Sequence, residues 1–250
     1  MPNTYDLSNR TVLVTGGARG LGRAVAEASI AAGATVCIAD LADTAIAAKE
    51  IGAFGVDIDV ANVDSVNAGV AAAIEALGRV DVLVNNAGIS GLGEPKPLLE
   101  TPLEEWNAIL GVNLQGPYLM ARACAPAMLE RGDGVIVNIA SVASTMVLKG
   151  RGPYCVSKAA LAHFTRAMAA EYAGRGLRVT ALGPGWMDTP FIRWRLEDPV
   201  LGPQLLSKIP AGRVCSAEEI AEMVVFLASP GAAYLNGALI LADGAMSTTL

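Results

Sequence analysis

The feature that most constrains this chain is a glycine-rich turn directly after an apolar run. Residues 15–22 read T-G-G-A-R-G-L-G and follow residues 11–14, which form one short buried strand in this reading. Gly16 and Gly20 let the backbone bend where a side chain would clash, and Gly22 lets the next helix lie close to the sheet. The N–H groups and partial positive charge at the start of that helix suit a pyrophosphate. The order strand, turn, helix therefore predicts a dinucleotide site. The turn residues expected to contact the dinucleotide are Gly16, Arg19, Gly20 and Leu21.

The composition indicates one globular domain. Hydrophobic residues make up 53 % of the 250 residues and charged residues 17 %, so there is enough apolar material for a large core. The formal net charge is −6 and no basic tract stands out, so we expect no nucleic-acid partner. Four scattered cysteines without metal or redox spacing favour reduced thiols, a cytoplasmic location and no bound metal.

No segment is expected to enter a membrane. Residues 1–10 are polar and lack the apolar centre of a signal peptide. Residues 223–242 are uncharged and long enough to span a bilayer, but Pro230-Gly231 and Asn236-Gly237 divide them into helix, turn and strand. We therefore interpret this run as part of the core.

Apolar strand-like runs alternate with alanine-rich helical stretches along the chain. The predicted strands are residues 11–15, 34–39, 54–58, 80–85, 134–139, 177–182 and 238–242. The predicted helices are residues 20–32, 42–50, 63–77, 103–130, 154–173 and 216–228. Repeated β-α-β units require a parallel sheet with helices on both faces. The predicted fold is a single α/β domain over residues 1–250, a Rossmann fold with a doubly wound parallel seven-stranded sheet.

Ligands of such sheets bind at the carboxyl ends of the strands, where this chain places Asp40. It lies about 20 residues after the glycine turn, where a carboxylate accepts both hydroxyls of an adenosine ribose. The alternative interpretation is a helix N-cap. Arg19 complicates the choice of cofactor, because a cation in the turn suits the additional phosphate of NADP. A carboxylate about 4 Å from a phosphate charge costs about 4 kcal/mol, against about 1 kcal/mol recovered by a solvated arginine, so the sequence favours NAD.

Two further strand ends carry residues suited to the cofactor. Asp59 and Val60 follow the third strand and would meet the adenine, although a capped loop is an equally good interpretation. Residues 85–88 read N-N-A-G at the end of the fourth strand. Asparagines there can tie neighbouring loops together and a glycine permits close approach of the cofactor, whereas the alternative is an ordinary turn. The predicted contacts in this segment are Asn86, Ala87 and Gly88.

Tyr154 and Lys158 lie four residues apart at the start of a predicted helix, so they share one face. A phenol has a pKa of about 10 and is a poor base at neutral pH, but a nearby ammonium favours the phenolate and lowers that pKa. Ser141 lies at the end of the fifth strand, and its hydroxyl would hold a substrate oxygen beside Tyr154. The pattern favours a tyrosine that can act as a base.

Taken in order, these motifs resemble the short-chain dehydrogenase/reductase family, whose pattern is T-G-x-x-x-G-x-G, N-N-A-G, a serine, Y-x-x-x-K and P-G. The chain matches at residues 15–22, 85–88, Ser141, Tyr154 with Lys158, and 184–185. The resemblance implies an oxidoreductase in which Tyr154 is the general acid/base and Ser141 orients the reacting oxygen. Lys158 would lower the pKa of Tyr154, and both would contact the cofactor, with Lys158 on the nicotinamide ribose.

The same resemblance implies roles for residues that carry no signal by themselves. Asn113 matches the asparagine that holds a proton-relay water and completes the catalytic set. The residues that would hold the nicotinamide end are Pro184, Gly185, Met187 and Thr189.

Cations surround the expected reacting centre. The family's substrate loop corresponds to about residues 186–212, and the cations are Lys149, Arg151, Arg193 and Arg195. They are either solvated surface or a subunit contact, or they clamp an anionic substrate tail. Short matches around Arg151 and Arg195 resemble the 2-hydroxypropyl-coenzyme M dehydrogenases, which implies that these two arginines bind a sulfonate.

The preferred hypothesis is an NAD-dependent enzyme that interconverts a secondary alcohol and a ketone, on a small-molecule substrate carrying a sulfonate or carboxylate. Sugar, sulfosugar and hydroxy-acid dehydrogenases share much of the same framework. A non-catalytic nucleotide sensor is disfavoured because Tyr154 and Lys158 are both present, and an acyl-carrier-protein reductase because Asp40 favours NAD. The family resemblance and the apolar-rich stretches 103–130 and 154–173 predict a homotetramer.

Overall fold

Seven parallel strands form the centre of the computed structural model, which describes residues 5–188, 193 and 196–248. The strands are Thr11–Thr15 (β1), Thr35–Asp40 (β2), Phe54–Asp57 (β3), Val82–Asn85 (β4), Gly134–Ile139 (β5), Leu177–Pro184 (β6) and Leu239–Ala242 (β7). Their order is β3-β2-β1-β4-β5-β6-β7, and every neighbouring pair is parallel. This confirms the predicted doubly wound sheet, whose strand order reverses between β1 and β4.

Helices cover both faces of the sheet. Those of the described residues are Gly20–Ala31 (α1), Thr44–Ile51 (α2), Val63–Leu77 (α3), Leu103–Leu110 (α4), Gly116–Arg131 (α5), Gly152–Tyr172 (α6), Leu201–Leu206 (α7) and Ala217–Ala228 (α8). The first, second and eighth pack on one face, and the third, fifth and sixth on the other. No helix in the described part of the chain is both long and apolar enough to cross a lipid bilayer.

The central strands are mostly apolar because both of their faces are covered. In β1, Val12 and Val14 pack with α1 and α8, whereas Leu13 packs with α3 and α5. A strand buried on both sides has no solvent face to mark with polar residues, so its sequence reads as a continuous apolar run. The edge strands β3 and β7 are only partly buried.

The predicted helix over residues 103–130 is interrupted. A π-helical turn at Gly111–Gln115 separates α4 from α5, and the Gly116 N–H donates to the Gly111 carbonyl five residues earlier. Pro117 contributes to the break, because it has no N–H to donate to the Asn113 carbonyl in the ordinary α-helical pattern. Gly116 also passes so close to Val60 that a Cβ on it would lie 3.0 Å from the Val60 Cγ2 atom. The prediction of one continuous helix was therefore wrong at the position of Asn113.

Two smaller differences concern the start of one helix and the content of one predicted loop. The helix α6 begins at Gly152, two residues before the predicted start, because Pro153 is well suited to the first turn of a helix. The segment predicted as a substrate loop, residues 186–212, contains the short helix α7.

Candidate active site

A cleft in two connected parts opens along the carboxyl ends of the strands. The first part has a volume of about 320 Å³, and the predicted cofactor residues that line it are Gly16, Arg19, Leu21, Asp40, Asp59, Val60, Asn86, Ala87 and Gly88. The second has a volume of about 240 Å³, and the predicted site residues that line it are Leu21, Asn86, Gly88, Ser141, Tyr154, Lys158, Pro184, Gly185 and Met187. Because Leu21, Asn86 and Gly88 line both parts, the structure brings the two halves of the predicted site together.

The glycine turn leaves the start of α1 open to a ligand. Gly16 has φ +63°, and a Cβ on it would lie 2.9 Å from the Asn86 Nδ2 atom, so no larger residue fits. Gly20 has φ +56° with no heavy atom within 4 Å of a Cβ position. The N-cap of α1 is Arg19, whose guanidinium has only donors and cannot cap the helix N–H groups, whereas the side chains of Asn62 and Ser216 cap α3 and α8. The first N–H groups of α1 thus remain available to a pyrophosphate.

The Asp40 carboxylate is held by backbone N–H groups. Its Oδ2 atom accepts a hydrogen bond from the Ala18 N–H at 3.1 Å, and its Oδ1 atom accepts one from the Leu41 N–H at 2.9 Å. The N-cap of the next helix is Asp43, so Asp40 is not a helix cap. Each of its oxygens keeps a lone pair that can accept a ribose hydroxyl.

Asn86 ties the loop after β4 to the glycine turn. Its Nδ2 atom donates to the carbonyls of Thr15 at 2.9 Å and Gly16 at 3.1 Å. The Thr15 hydroxyl in turn accepts the N–H groups of Asn86 and Ala87. The interpretation of this segment as an ordinary turn is therefore incomplete, because its asparagine joins two strand ends that form the floor of the cleft.

Tyr154 and Lys158 meet in the second part of the cleft. The Lys158 Nζ atom lies 5.8 Å from the centre of the Tyr154 ring and donates to the Ile139 carbonyl at 2.8 Å. Burial lowers the pKa of Lys158 to about 8. Burial also raises the pKa of Tyr154, and a hydrogen bond with the Ser141 hydroxyl opposes this. The expectation that Lys158 sets the direction of the tyrosine shift was wrong for the protein alone, since loss of hydration is the larger effect.

Asn113 occupies the π-helical turn and connects three segments. Its Oδ1 atom accepts the Ile89 N–H at 2.9 Å, and its Nδ2 atom donates to the Ile89 carbonyl at 2.8 Å. Nδ2 also donates to the Ser157 hydroxyl at 3.0 Å. A Cβ on Gly88 would lie 3.3 Å from the Asn113 Oδ1 atom and 3.4 Å from the Lys158 Nζ atom. The glycine therefore keeps open the space beside both polar groups, as a bound cofactor requires.

Comparisons of the sequence with known proteins agree with the site described above. Residues 16–247 match a family model described as enoyl-(acyl carrier protein) reductase. The chain is 42 % identical to the 2-(R)-hydroxypropyl-CoM dehydrogenase of Xanthobacter autotrophicus, over 95 % of this chain and 98 % of that protein. This chain belongs to the short-chain dehydrogenase/reductase family.

Other members of the family differ in the substrate that they are named for. The D-threitol dehydrogenase of Mycolicibacterium smegmatis is 39 % identical, over 96 % of this chain and 94 % of that one. A gluconate 5-dehydrogenase from Burkholderia cenocepacia, solved in complex with NADP and tartrate, is 32 % identical with a TM-score of 0.93, covering 99 % and 98 % of the two chains. As a short-chain dehydrogenase/reductase, this protein is an oxidoreductase of the nicotinamide-dependent kind.

In this short-chain dehydrogenase/reductase, the structure describes only some of the residues predicted to lie around the substrate. Arg151 lies beside the loop after β4, where its Nη1 atom donates to the Gly93 carbonyl at 2.9 Å, and it does not line the cleft. Arg193 is paired with Asp188 at 3.0 Å. Arg195 and Thr189 lie outside the described residues.

Sequence reasoning missed two polar residues of the site. Ser90 lines the second part of the cleft, and Ser157 connects Asn113 to the helix that carries Tyr154. The available signal for Ser157 was its place directly before Lys158, on the turn between the two catalytic candidates. Among the residues that the structure describes, no cluster of histidine, cysteine, aspartate or glutamate has the arrangement of a metal site.

Proposed function

We propose that this short-chain dehydrogenase/reductase is an NAD-dependent dehydrogenase that interconverts a secondary alcohol and a ketone, on a substrate that carries an anionic group. The observation that supports this most is a single cleft with Asp40 at one end and Tyr154, Lys158 and Ser141 at the other. The residues at the two ends suit a dinucleotide whose adenosine ribose meets Asp40 and whose nicotinamide ribose meets Lys158.

The charges around Asp40 support NAD as the cofactor. The groove beside it is lined by two cations and three carboxylates, which are Arg19, Arg23, Asp40, Asp43 and Glu50. Arg23 is already engaged, since it donates to Glu27 at 2.9 Å and Glu50 at 2.6 Å. Of these two cations, Arg19 alone is free to meet the additional phosphate of NADP, and that phosphate would face the carboxylates at short range.

The arrangement of side chains supports proton transfer by Tyr154. In the direction of alcohol oxidation, the Tyr154 phenolate would accept the hydroxyl proton, and a nicotinamide cofactor held in the cleft would supply the hydride acceptor. In the reverse direction, the phenol donates its proton to the carbonyl oxygen. Ser141 holds the reacting oxygen, and its hydrogen bond with the phenol lowers the pKa of Tyr154 against the effect of burial. Asn113 would hold the water through which the proton reaches solvent, as the family implies.

An anionic substrate is supported by the free edge of the Arg151 guanidinium. Within the described residues it lies within 4 Å of no carboxylate, and only its Nη1 atom makes a hydrogen bond. Its neighbour Lys96 is instead paired with Glu105 at 3.3 Å, and the charge of Arg151 acts on the same carboxylate without a salt bridge to it. A sulfonate is our first choice of anion and a carboxylate the second, with Arg195 as the partner from the substrate loop.

A neutral polyol is the second candidate. The observation in its favour is the lining of the 240 Å³ part of the cleft, in which Lys158 is the only charged residue among those described and Ser90 and Ser141 supply hydroxyls. Hydroxyl groups suit the multiple hydroxyls of a sugar alcohol.

The cofactor assignment is tested by the specificity constants for NAD and NADP in the wild type and in Asp40→Ser. We expect at least a tenfold preference for NAD, because like charges at about 4 Å cost several kcal/mol. Asp40→Ser should lower the ratio of the specificity constant for NAD to that for NADP, mainly by raising the specificity constant for NADP. A wild type that prefers NADP would show that Arg19 determines the choice.

The substrate assignment is tested in the same assay with anionic and neutral secondary alcohols. We expect Arg151→Ala to raise the KM for the anionic substrate about ten- to a hundredfold, because a charged hydrogen bond is lost. Activity on a neutral polyol should change little. The matched control is Lys149→Ala, the nearby cation with no charged partner in the described structure. Equal losses on both substrates, or a wild-type preference for the polyol, would favour the second candidate.

The remaining proposals concern the whole protein. We propose one domain over residues 1–250, a cytoplasmic location and a homotetramer. The support for assembly is a partly apolar groove of about 540 Å³ on the outer face of α4, α5 and α6, where Tyr118 and Phe164 are in edge contact. The four cysteines are free thiols, as a reducing compartment favours. Light scattering at micromolar concentration tests the assembly state.

A further inference from the structure

Ser157 lies on the first turns of α6, between Tyr154 and Lys158, and is fully buried. Its hydroxyl donates a hydrogen bond to the Tyr154 carbonyl at 2.7 Å and accepts one from the Asn113 Nδ2 atom at 3.0 Å. It therefore makes one bond within its own helix and one to a different segment.

The bond to Asn113 continues into the loop after β4. Asn113 is joined to Ile89 by two hydrogen bonds, one in each direction. An unbroken series of donors and acceptors thus runs from the Ile89 backbone through the Asn113 amide and the Ser157 hydroxyl to the Tyr154 carbonyl. Because each bond in such a series polarises the next, the series is stiffer than its isolated members.

The start of α6 needs such support. Tyr154 is the third residue of this helix, and the N-cap residue, Arg151, makes no side-chain hydrogen bond to the helix. The first turn of a helix has unpaired N–H groups and frays unless it is capped or held by neighbours. A catalytic side chain on an uncapped first turn would lose its alignment with Ser141.

We propose that Ser157 is a positioning residue, which fixes the Tyr154 phenol against Ser141 and Lys158 by joining the π-helical turn to α6. This inference rests on the proposed role of Tyr154 as the acid/base. Ser157 does not touch the reacting atoms and acts only through the backbone of Tyr154.

The experiment compares Ser157→Ala, Ser157→Cys and the matched control Ser29→Ala. Ser29 is also a buried helical serine, and its hydroxyl donates to the Val25 carbonyl at 2.7 Å without a link to another segment. Ser157→Ala leaves one of the two N–H groups on the buried Asn113 Nδ2 atom without an acceptor, while the other keeps its bond to the Ile89 carbonyl. Ser157→Cys preserves the volume but bonds weakly, so it separates packing from hydrogen bonding.

We expect both Ser157 variants to lower kcat about tenfold, since a small misplacement of a catalytic group has a large effect on the chemical step. The apparent pKa in the pH profile of alcohol oxidation should move to higher pH, because Tyr154 loses alignment with the groups that favour its phenolate. The KM for NAD should stay unchanged, and the melting temperature should fall somewhat further than in Ser29→Ala, because one Asn113 N–H loses its acceptor.

Two results would overturn the inference. One is a wild-type pH profile in Ser157→Ala, and the other is full recovery of kcat in Ser157→Cys, which would leave packing as the whole effect. Tyr154→Phe is measured in parallel, so that the inference and the proposed function fail separately. If Tyr154→Phe is active, the proposed function is wrong, whereas an inactive Tyr154→Phe beside a normal Ser157→Ala removes only the role of Ser157.

Discussion

The amino ends of the strands form one side of the sheet, here called the amino edge, and their carboxyl ends form the opposite side, the carboxyl edge. Both edges bury charged groups, but the hydrogen-bond partners of these groups differ. At the amino edge, Asp81 is 2 % exposed and accepts hydrogen bonds from Arg79 at 2.9 Å and from the Thr11 N–H at 3.0 Å. At the carboxyl edge, Lys158 is 4 % exposed and has one hydrogen bond, to a carbonyl. No described carboxylate lies within 4 Å of its ammonium. The first edge compensates its charge, and the second leaves a charge unpaired where a reaction needs it.

The pKa values follow this difference. Burial alone would raise the pKa of Asp81, but Arg79 and Thr11 outweigh it and hold that pKa below its ordinary value. At Lys158 nothing outweighs burial, which lowers the pKa to about 8. A buried group that favours its charged form stabilises the fold, whereas a buried group forced toward its neutral form costs stability.

Arg178, also at the amino edge, has a pKa lowered by burial as Lys158 has, but it makes hydrogen bonds to four carbonyls where Lys158 makes one. It lies in β6 and donates hydrogen bonds to the carbonyls of Leu227 and Ala228 at the end of α8, and to those of Ser229 and Ala232 in the turn that follows. The last carbonyls of a helix have no N–H partner within it, and the cation also complements the negative end of the helix dipole. At the amino edge, this buried charge therefore connects neighbouring elements of the fold.

The largest effect is expected at the carboxyl edge, from Tyr154→Phe. Turnover should fall by about a hundredfold or more, because general acid/base catalysis supplies roughly that much. Binding of NADH, measured by its fluorescence, and the melting temperature should stay close to the wild type. Near-normal turnover in a folded variant would remove Tyr154 from the reaction.

Lys158→Met tests whether the unpaired charge costs stability. In the wild type, a pKa lowered from 10.5 to about 8 corresponds to roughly 3 kcal/mol of lost stability at neutral pH. Lys158→Met removes this cost but also loses the hydrogen bond to the Ile139 carbonyl, which is worth about 1 kcal/mol. We expect the variant to be inactive yet about 1–2 kcal/mol more stable at pH 7.

The pH dependence of unfolding gives the sign of this effect. The unfolded wild type binds more protons than the folded form between pH 8 and 10.5, so its stability should rise with pH across that window. The advantage of Lys158→Met should shrink over the same window. Denaturant unfolding at several pH values measures it, and a variant that is less stable than the wild type at pH 7 would contradict the cost assigned to this lysine.

The smallest effect on catalysis is expected at the amino edge, from Asp81→Asn. Removing this carboxylate leaves Arg79 and Arg131 without their partner, which should cost about 2–3 kcal/mol, discounted because both arginines are partly exposed. That lowers the melting temperature by roughly 5–10 °C. Turnover of the folded enzyme at 25 °C should be unchanged.

Asp133→Asn is the matched control at the same edge. Asp133 pairs with Arg10 at 2.5 Å, but its side chain is 55 % exposed. Loss of such a surface pair should cost less than about 1 kcal/mol. A drop in turnover for Asp81→Asn without a drop in stability would show that the two edges are not functionally separate.

The sequence predicted the carboxyl edge better than the amino edge. Strands buried on both faces read as apolar runs, and the residues that follow them fall at one edge by topology alone, which is why Asp40, Asn86 and Ser141 could be placed. The contacts of Asp81 could not be foreseen, because Arg79, Thr11 and Arg131 come together only when three elements pack.

Two features of the site itself also escaped prediction. The direction of the Tyr154 pKa depends on how deeply the phenol is buried, which no spacing of residues reveals. The π-helical turn escaped because its apolar residues fit a continuous helix, although Pro117 directly after Gly116 was a usable warning.

That turn has a consequence for how the chain tolerates changes in its length. The π-helical turn contains one residue more than an α-helical turn, so it rotates α5 about its axis by about 100° relative to an uninterrupted helix. The row formed by Met120, Cys124 and Met128 faces the sheet only because of this rotation, and all three are buried. Deleting one residue between Gly111 and Gly116 would remove the added rotation and turn that row away from the sheet, although Pro117 would still leave one carbonyl without its helical N–H. A single-residue deletion here should therefore do more harm than a longer insertion in an exposed loop, since it re-phases a whole face of the core.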